Sequence, residues 1–264
     1  MNIKRKIADY MIKRIADPDY SFKVEENDVF LISYPKSGNT WMRFLLANIL
    51  TDEKINLFNL GRIIPDIYRD TREDILNKVK PKIFKTHSYF RAKYSKNKII
   101  YLVRDPRDVA VSYYFYYKKT KKVNIEFGSF FQKFMEGEID DYGTWAENVG
   151  SWIGSKESSG NFLIVRYEDM LKDTLKEIKR VGEFLNLDVE EAKFKEAINR
   201  SSFNKLKREE TINHNQVLYL KDTDKKISFF RSGKKKQWID FLSEEQQVKL
   251  HQDFRIIMKK LGYN

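Results

Sequence analysis

The feature that most constrains this chain is a short apolar run that ends in a tight turn and passes directly into a helical pattern. The run is Val29-Phe30-Leu31-Ile32, the turn is Lys36-Ser37-Gly38, and the helical pattern opens at Trp41. A buried strand followed at once by a helix gathers backbone N–H groups, a helix N-terminus and one lysine around a single point. The arrangement predicts an anion site, and a phosphorylated ligand is its expected occupant.

Apolar runs rich in valine, isoleucine and phenylalanine predict four buried strands, at residues 29–34, 82–86, 98–103 and 162–167. Segments with helical spacing lie between and after them, such as the three- and four-residue steps of the apolar positions in 171–185. Strands separated by helices indicate parallel pairing. We therefore expect an α/β fold of three layers, a P-loop-like parallel sheet flanked by helices on both faces, with ligands at the carboxyl ends of the strands.

No repeat, low-complexity segment or linker divides the sequence, which predicts a single domain over residues 1–264. The longest apolar stretches are too short to cross a bilayer and no signal peptide is visible, so a cytoplasmic location is the expectation. The apolar face formed by Ile3, Ile7 and Tyr10 predicts a helix that packs on the domain, with a membrane-surface helix as the alternative.

The amino-acid composition limits the kinds of site and catalysis that the chain can support. The chain has no cysteine, which excludes disulfides, thiolate metal sites and cysteine catalysis. No cluster of carboxylates indicates a metal site, so no metal is expected. A formal net charge of +12 favours polyanionic partners, which include nucleic acid, acidic lipid and small multiply charged ligands.

A second motif follows the third predicted strand. Arg104-Asp105-Pro106-Arg107-Asp108 is followed by Ser112, and Asp105 is placed to cap a helix whose first residue is Pro106. The guanidinium of Arg104 and the hydroxyl of Ser112 suit a phosphate monoester. The alternative is that Arg104 only pairs with Asp108.

A third motif, Phe84-Lys85-Thr86-His87, ends the second predicted strand. Histidine titrates near neutrality and can take a proton from an acceptor hydroxyl or amine, so His87 is a candidate base. The other two histidines, His214 and His251, lie outside any such setting and are expected to be surface or packing residues.

Together these motifs resemble those of the sulfotransferases that use 3′-phosphoadenosine 5′-phosphosulfate (PAPS). The form P-K-S-G-x-T-W resembles their 5′-phosphosulfate loop, and R-[DN]-P-[RK]-D-x-x-x-S resembles their 3′-phosphate motif. In that family the K-T-H sequence holds the catalytic base. The resemblance extends to Phe134-Met135-Glu136-Gly137, Tyr142-Gly143-Thr144-Trp145 and Trp152, a region that borders the acceptor pocket in the family.

The resemblance also implies the residues of a cofactor site. Tyr167 in Tyr167-Glu168-Asp169-Met170 meets the adenine, and Phe203 stacks on the purine opposite Trp41. The segment Arg231-Ser232-Gly233 closes over the cofactor up to Trp238. Here Lys235-Lys236-Gln237 replaces the usual x-Gly-Asp, which predicts a stiffer and more basic segment.

The resemblance thus implies a PAPS-dependent sulfotransferase, a transferase whose nucleotide-binding site takes PAPS as co-substrate and requires no metal. His87 is the expected base, and Lys36 and Lys85 are the expected electrostatic catalysts. The expected cofactor-binding residues are Lys36, Ser37, Gly38, Asn39, Thr40, Trp41, Arg104, Ser112, Tyr167, Ser201, Phe203, Arg231, Ser232 and Gly233.

Two other functions share parts of this pattern. A nucleotide kinase or NTPase uses the same strand–loop–helix logic, but its Walker lysine follows the last glycine, whereas Lys36 precedes Gly38. A nucleic-acid-binding module would suit the net charge, but it predicts basic and aromatic residues interleaved on one surface.

The sequence leaves the acceptor open among phenols, alcohols, sugars and amines. Its pocket is expected to be built from residues 62–80, 115–145 and 211–230. A small-molecule acceptor is expected, without a nucleic-acid or membrane partner. The family's dimer motif K-x-x-x-T-V-x-x-x-E is absent from the sequence, so the oligomeric state is also left open.

Overall fold

A parallel sheet of four strands lies at the centre of the computed structural model, which describes residues 21–70, 79–156 and 159–263. Its strands are β1 Val29–Ser33, β2 Ile83–Thr86, β3 Lys98–Val103 and β4 Phe162–Arg166. They lie in the order β2-β1-β3-β4, and every neighbouring pair is parallel. The four predicted strands are confirmed to within one residue at each end.

The described helices surround this sheet. They are α1 Asn39–Leu50, α2 Leu60–Ile63, α3 Pro106–Lys121, α4 Phe127–Glu136, α5 Trp145–Lys156, α6 Tyr167–Lys172, α7 Thr174–Leu185, α8 Glu191–Arg200, α9 Phe203–Asn213, α10 Leu218–Lys221 and α11 Glu244–Lys260. Short 3-10 turns cover Ala92–Tyr94 and Gln237–Asp240. The helix expected near Ile3 lies outside the described residues.

The two faces of the sheet carry separate apolar clusters, because successive side chains of a strand point to opposite sides. Phe30 and Tyr101 pack on one face with residues of α3, α4, α5 and α11. Leu31 and Ile100 pack on the other face with residues of α1, α2, α7, α8 and α9. The sheet is therefore the middle one of three layers, as the sequence predicted.

The strand order fixes where a ligand can bind. From β1 the chain goes to β2 on one side of the sheet, and from β3 it goes to β4 on the other side. A crevice opens at such a switch point, beyond the carboxyl ends of the strands. The three motifs follow three of these ends: Lys36 comes after β1, His87 after β2 and Arg104 after β3.

The periodic segment at residues 171–185 forms two helices. Leu171 belongs to α6, and the remaining apolar positions belong to α7. The break falls at Asp173, whose side chain accepts a hydrogen bond from the Lys176 backbone N at 3.0 Å. A capping aspartate of this kind starts a new helix even where the apolar spacing continues.

Candidate active site

The turn between β1 and α1 has an unusual backbone. Lys36 has φ 67° and Gly38 has φ 96°, and Gly38 stands at the N-cap of α1 without a side-chain cap. A Cβ atom on Gly38 would lie 2.6 Å from Cδ2 of Tyr167, so only glycine fits there. The turn therefore leaves the first N–H groups of α1 uncapped by a side chain, which is the arrangement that binds an anion.

Lys36 is held by aromatic rings. Its Nζ atom lies 4.1 Å from the ring centre of Tyr116 and 4.5 Å from that of Phe229. Burial, together with the nearby charge of Arg104, lowers the pKa of Lys36 to about 7. An anion bound beside Lys36 would favour its charged form, because the two charges attract.

Asp105 caps α3 as predicted, with Pro106 as the first helical residue. Its side chain accepts a hydrogen bond from the Arg107 backbone N at 2.9 Å. This cap fixes the direction in which the chain leaves β3, and it thereby places Arg104 at the base of the cavity.

Arg104 is a buried guanidinium that joins two loops. Nη1 donates to the carbonyl oxygen of Lys36 at 3.3 Å, and Nη2 donates to that of Lys234 at 3.0 Å. The guanidinium lies 4.3 Å from the ring centre of Tyr167, and Nη2 is 3.9 Å from a carboxylate oxygen of Asp108. Among the described residues, Nε has no hydrogen-bond partner. Arg104 thus does more than pair with Asp108, and it keeps an unused donor.

Asp108 holds one end of the C-terminal segment, which we define as residues 229–238. Its buried carboxylate accepts hydrogen bonds from the backbone N atoms of Lys236 at 2.7 Å, Gln237 at 2.8 Å and Trp238 at 3.3 Å. Lys236 has φ 60°, a conformation that favours glycine. The carboxylate therefore stabilises a turn that the residue at position 236 disfavours.

Glu210 holds the other end of the C-terminal segment. Its carboxylate accepts hydrogen bonds from the backbone N atoms of Phe229 at 2.6 Å and Phe230 at 3.0 Å. Lys119 lies 3.4 Å from the same carboxylate and donates to the carbonyl oxygen of Ile227 at 2.7 Å. Both charged side chains are buried, so this ion pair is a fixed anchor for the segment.

His87 is oriented by the end of β1. Its Nδ1 atom lies 2.7 Å from the carbonyl oxygen of Ser33. A carbonyl oxygen can only accept, so the proton is on Nδ1 and the lone pair is on Nε2. Burial and the neighbouring charge of Lys85 lower the pKa of His87 well below its ordinary value. The imidazole is therefore neutral at pH 7 and can accept a proton.

Lys85 is paired with a residue that the sequence motifs did not indicate. Its Nζ atom donates to Oδ2 of Asp66 at 2.9 Å, and both side chains are buried. Burial lowers the pKa of Lys85 to about 8. Burial opposes the ionisation of Asp66, but Lys85 and Arg43 outweigh it and hold the pKa of that carboxyl below its usual range.

These groups line one cavity of about 340 Å³. The three candidate catalytic residues lie in its wall, and so do all but two of the candidate cofactor residues: Lys36, Gly38, Asn39, Thr40, Trp41, Arg104, Ser112, Tyr167, Phe203, Arg231, Ser232 and Gly233. The exceptions, Ser37 and Ser201, are fully buried. The Ser201 hydroxyl accepts a hydrogen bond from Asn48 Nδ2 at 3.3 Å, so it is turned away from the cavity.

The cavity wall also contains residues that no motif singled out. They include Arg43, Asp66, Tyr68, Arg69, Tyr113, Phe115, Tyr116, Asp140, Tyr219, Ser228, Phe229 and Phe230. Most of them fall in the three segments expected to build the acceptor pocket. No local signal marks Asp66, whose role depends on a partner 19 positions away along the chain.

Two further findings concern the described part of the chain as a whole. No group of three or more histidine, aspartate or glutamate side chains is placed to hold a metal ion there. Likewise, none of the helices within residues 21–70, 79–156 and 159–263 combines the length and apolar character needed to cross a membrane.

Comparison with known proteins gives a consistent picture. The family model described as the sulfotransferase domain matches residues 26–262. Sulfotransferase 2A6 of Rattus norvegicus is 36% identical over 208 residues, which cover 74% of this chain and 72% of the relative. The amine sulfotransferase of Oryctolagus cuniculus is 28% identical over 271 residues, 98% of this chain and 88% of the relative.

Solved structures share the fold. The mouse sulfotransferase SULT7A1, complexed with PAP, has a TM-score of 0.73 and 27% identity, and the match covers 93% of this chain and 88% of that chain. A retinol dehydratase in complex with androsterone and inactive cofactor PAP has a TM-score of 0.74 at 22% identity, over 93% of this chain and 85% of that chain.

Proposed function

Because the chain belongs to the sulfotransferase family and is an enzyme that transfers a sulfuryl group, we propose that its donor is PAPS. We also propose that the acceptor is a hydroxyl or amine of a small molecule. The observation that carries the proposal is the convergence of three strand ends on one cavity. The anion-binding turn after β1, the neutral His87 after β2 and the guanidinium of Arg104 after β3 all line it.

The turn after β1 suits the 5′ end of PAPS. Lys36 and Gly38 both have positive φ, and the N-terminus of α1 has no side-chain cap, so backbone N–H groups can bind phosphate oxygens. In the proposal these are the N–H groups of residues 37–41. The buried Ser37 contributes its backbone rather than its hydroxyl, because its side chain does not reach the cavity.

The 3′-phosphate is assigned to Arg104, Ser112 and the C-terminal segment. Arg104 lies in the cavity wall, and its guanidinium suits a phosphate that binds against it. Ser112 lies in the same wall two turns into α3, and the C-terminal segment brings Arg231 and Gly233 to the cavity. Gly233 has φ 64°, and a Cβ there would lie 2.6 Å from Cδ2 of Phe203. Only glycine therefore allows the C-terminal segment to lie this close to the Phe203 ring.

The adenine is assigned to the aromatic side chains of the cavity wall near the turn after β1. Trp41 and Phe203 lie in the cavity wall, and Tyr167 meets Trp41 edge to face with ring centres 5.9 Å apart. Stacking of a base on an aromatic side chain contributes roughly 1–3 kcal/mol. Ser201 is left out of this assignment, because its hydroxyl is buried against Asn48.

Bound PAPS supplies an activated sulfuryl group and a phosphate leaving group. The protein's part is acid–base and electrostatic. His87 takes the proton of the acceptor at Nε2, while the hydrogen bond from Nδ1 to Ser33 keeps the ring in the required tautomer. Lys36 offsets charge that develops on the leaving oxygen. Lys85 has three donors, of which Asp66 takes one, so it can serve the same purpose.

The proposal is tested in two steps. Calorimetry without added Mg²⁺ should show that 3′-phosphoadenosine 5′-phosphate (PAP) binds far more tightly than AMP. Equal affinities would contradict the assigned 3′-phosphate site. Incubation with labelled PAPS and an acceptor panel, followed by mass spectrometry, should then reveal a product heavier by one sulfuryl group. A protein that binds PAP but sulfates no hydroxyl or amine would contradict the proposed reaction.

A further inference from the structure

Asp140 lies in the cavity wall, in the connection between α4 and α5. Two aromatic residues of the same wall connect it to the reaction centre. The ring centre of Tyr142 is 5.4 Å from that of His87 and 5.8 Å from that of Tyr68. Asp140 is therefore two residues from an aromatic ring that contacts His87, on the side of the cavity where the acceptor is expected.

The cavity wall contains two carboxylates, and their surroundings differ. Asp66 forms an ion pair with Lys85 at 2.9 Å. Among the described residues, no lysine, arginine or histidine nitrogen lies within 4.0 Å of the Asp140 carboxylate. Its one hydrogen bond in the structure is accepted by Oδ1 from the Tyr142 backbone N at 2.9 Å. No described residue donates a hydrogen bond to the other carboxylate oxygen, so a ligand in the cavity can do so.

The ionisable groups that face Asp140 do not compensate its charge. Burial, and then the neighbouring Asp141, raise the pKa of Asp140 to about 6. The charge of Asp140 in turn contributes to raising the pKa of Tyr34 and Tyr89, which Glu147 also raises. At pH 7 or above the carboxylate is mostly ionised without a protein cation beside it, although a mostly buried carboxylate normally has one.

We propose that the acceptor carries a cationic nitrogen, which binds Asp140 while a separate hydroxyl or neutral amine of the acceptor reaches His87. The faces of Tyr68 and Tyr142 add favourable surface for the same cation. This inference rests on the proposed function, since it assumes that sulfuryl transfer occurs beside His87. It narrows the acceptor from any hydroxyl or amine compound to one that has an ammonium group.

A structural role for Asp140 makes a different prediction. The hydrogen bond from the Tyr142 N–H forms a local turn, and an asparagine oxygen can accept it equally well. Asp140→Asn therefore keeps the turn and removes the charge. Asp141→Asn is the matched control, because it removes an equal charge one position along the chain from an exposed residue outside the cavity wall.

The test uses tyramine and 4-ethylphenol, two phenols of similar shape that differ in the ammonium group. We expect the wild-type protein saturated with PAP to bind tyramine more tightly by about 10- to 100-fold, the usual value of a hydrogen bond between charged groups. Turnover with PAPS should show the same preference in kcat/KM. The ratio between the two phenols should fall towards one in Asp140→Asn and stay at the wild-type value in Asp141→Asn.

Each outcome of this experiment either supports the proposed role of Asp140 or overturns it. A wild-type ratio near one, or a ratio that Asp140→Asn leaves unchanged, would overturn it, even if 4-ethylphenol is sulfated and the proposed function stands. A ratio that falls equally in Asp140→Asn and Asp141→Asn would also overturn it, because general surface charge would then explain the preference. Failure of the proposed function shows separately, as a protein that does not distinguish PAP from AMP.

Discussion

Two walls of the proposed cofactor cavity, the turn after β1 and the C-terminal segment, are built in different ways. The turn after β1 is fixed by its neighbours in the chain, because a buried strand enters it and a helix leaves it. The C-terminal segment has only a short 3-10 turn and is held through its backbone by two distant carboxylates, Asp108 and Glu210. The first wall is thus specified locally, whereas the second depends on tertiary contacts.

Both walls contain a strained backbone position, and both are expected to affect cofactor binding. Each wall contains a lysine with positive φ, Lys36 in the turn and Lys236 in the C-terminal segment. The Arg104 guanidinium joins the walls, because it donates hydrogen bonds to the backbone carbonyl oxygens of Lys36 and Lys234. Cofactor affinity should therefore respond to changes in either wall. The chemical step should instead depend on His87, which follows β2 and is oriented by the end of β1.

The largest predicted effect is on turnover, in a variant that lacks the His87 imidazole. In His87→Ala, turnover should fall by roughly 10²–10⁴, the usual contribution of positioned proton transfer, while PAP affinity stays nearly unchanged. Steady-state kinetics and calorimetry on the same preparation provide both values. The circular dichroism spectrum and melting temperature must show a folded variant. Near-normal turnover in a folded His87→Ala protein would contradict the role of base.

A substitution at Asp108 tests the C-terminal segment, which is the wall that depends on tertiary contacts. Asp108→Ala leaves the backbone N–H groups of Lys236, Gln237 and Trp238 without their acceptor. We expect PAP affinity to fall by about 10- to 100-fold, because each lost hydrogen bond to a charged group contributes roughly 1.5–3 kcal/mol and solvent recovers part of it.

Calorimetry measures this loss, and the matched control is Asp173→Ala. That change removes the aspartate cap of α7 but no group of the cavity wall and no contact to the C-terminal segment, and it typically costs about 1 kcal/mol of stability. If the two variants lose PAP affinity equally, the segment is not held specifically by Asp108, and the comparison between the walls fails.

The pH dependence of PAP binding tests the role of the Lys36 charge in the turn after β1. The pKa of Lys36 is about 7 in the free protein, so the ammonium loses its proton as the pH rises above 7. PAP binds better to the charged form, so its affinity should be highest at or below pH 7. Above pH 7 affinity should fall by up to about tenfold per pH unit. Calorimetry in buffers of different ionisation enthalpy should show proton uptake, which Lys36→Met should remove. A flat profile in the wild-type protein would contradict the assignment.

The smallest predicted effect is on the melting temperature, in the variant Lys236→Gly. A non-glycine residue with positive φ costs roughly 1–2 kcal/mol, and glycine adopts the same conformation without that cost but loses more chain entropy on folding. We expect Lys236→Gly to raise the melting temperature by about 2 °C, measured by calorimetry, while the control Lys235→Gly does not. A lower melting temperature in Lys236→Gly would show that the side chain contributes more than the backbone strain costs.

Much of the fold was predictable because its signals are local. The strands β1 to β4 are continuous apolar runs, and the turn signals that bound them lie within a few residues, so their ends were placed to within one residue. The cap of α3 by Asp105 was predicted for the same reason. The break at Asp173 was not, because a capping residue can end one helix and start another without disturbing the apolar spacing.

The sequence by itself determined the layered α/β fold, the turn between β1 and α1 and the identity of the residues at the strand ends. Each depends on residues that are neighbours in the chain. Only the tertiary structure decided which carboxylates hold the cavity and which one is left unpaired. Asp66 with Lys85 and Asp108 with the C-terminal segment are pairings across the fold, whereas Asp140 has only a local hydrogen bond and forms no ion pair with any described residue. Such pairings depend on distances in space, which spacing along the chain does not encode.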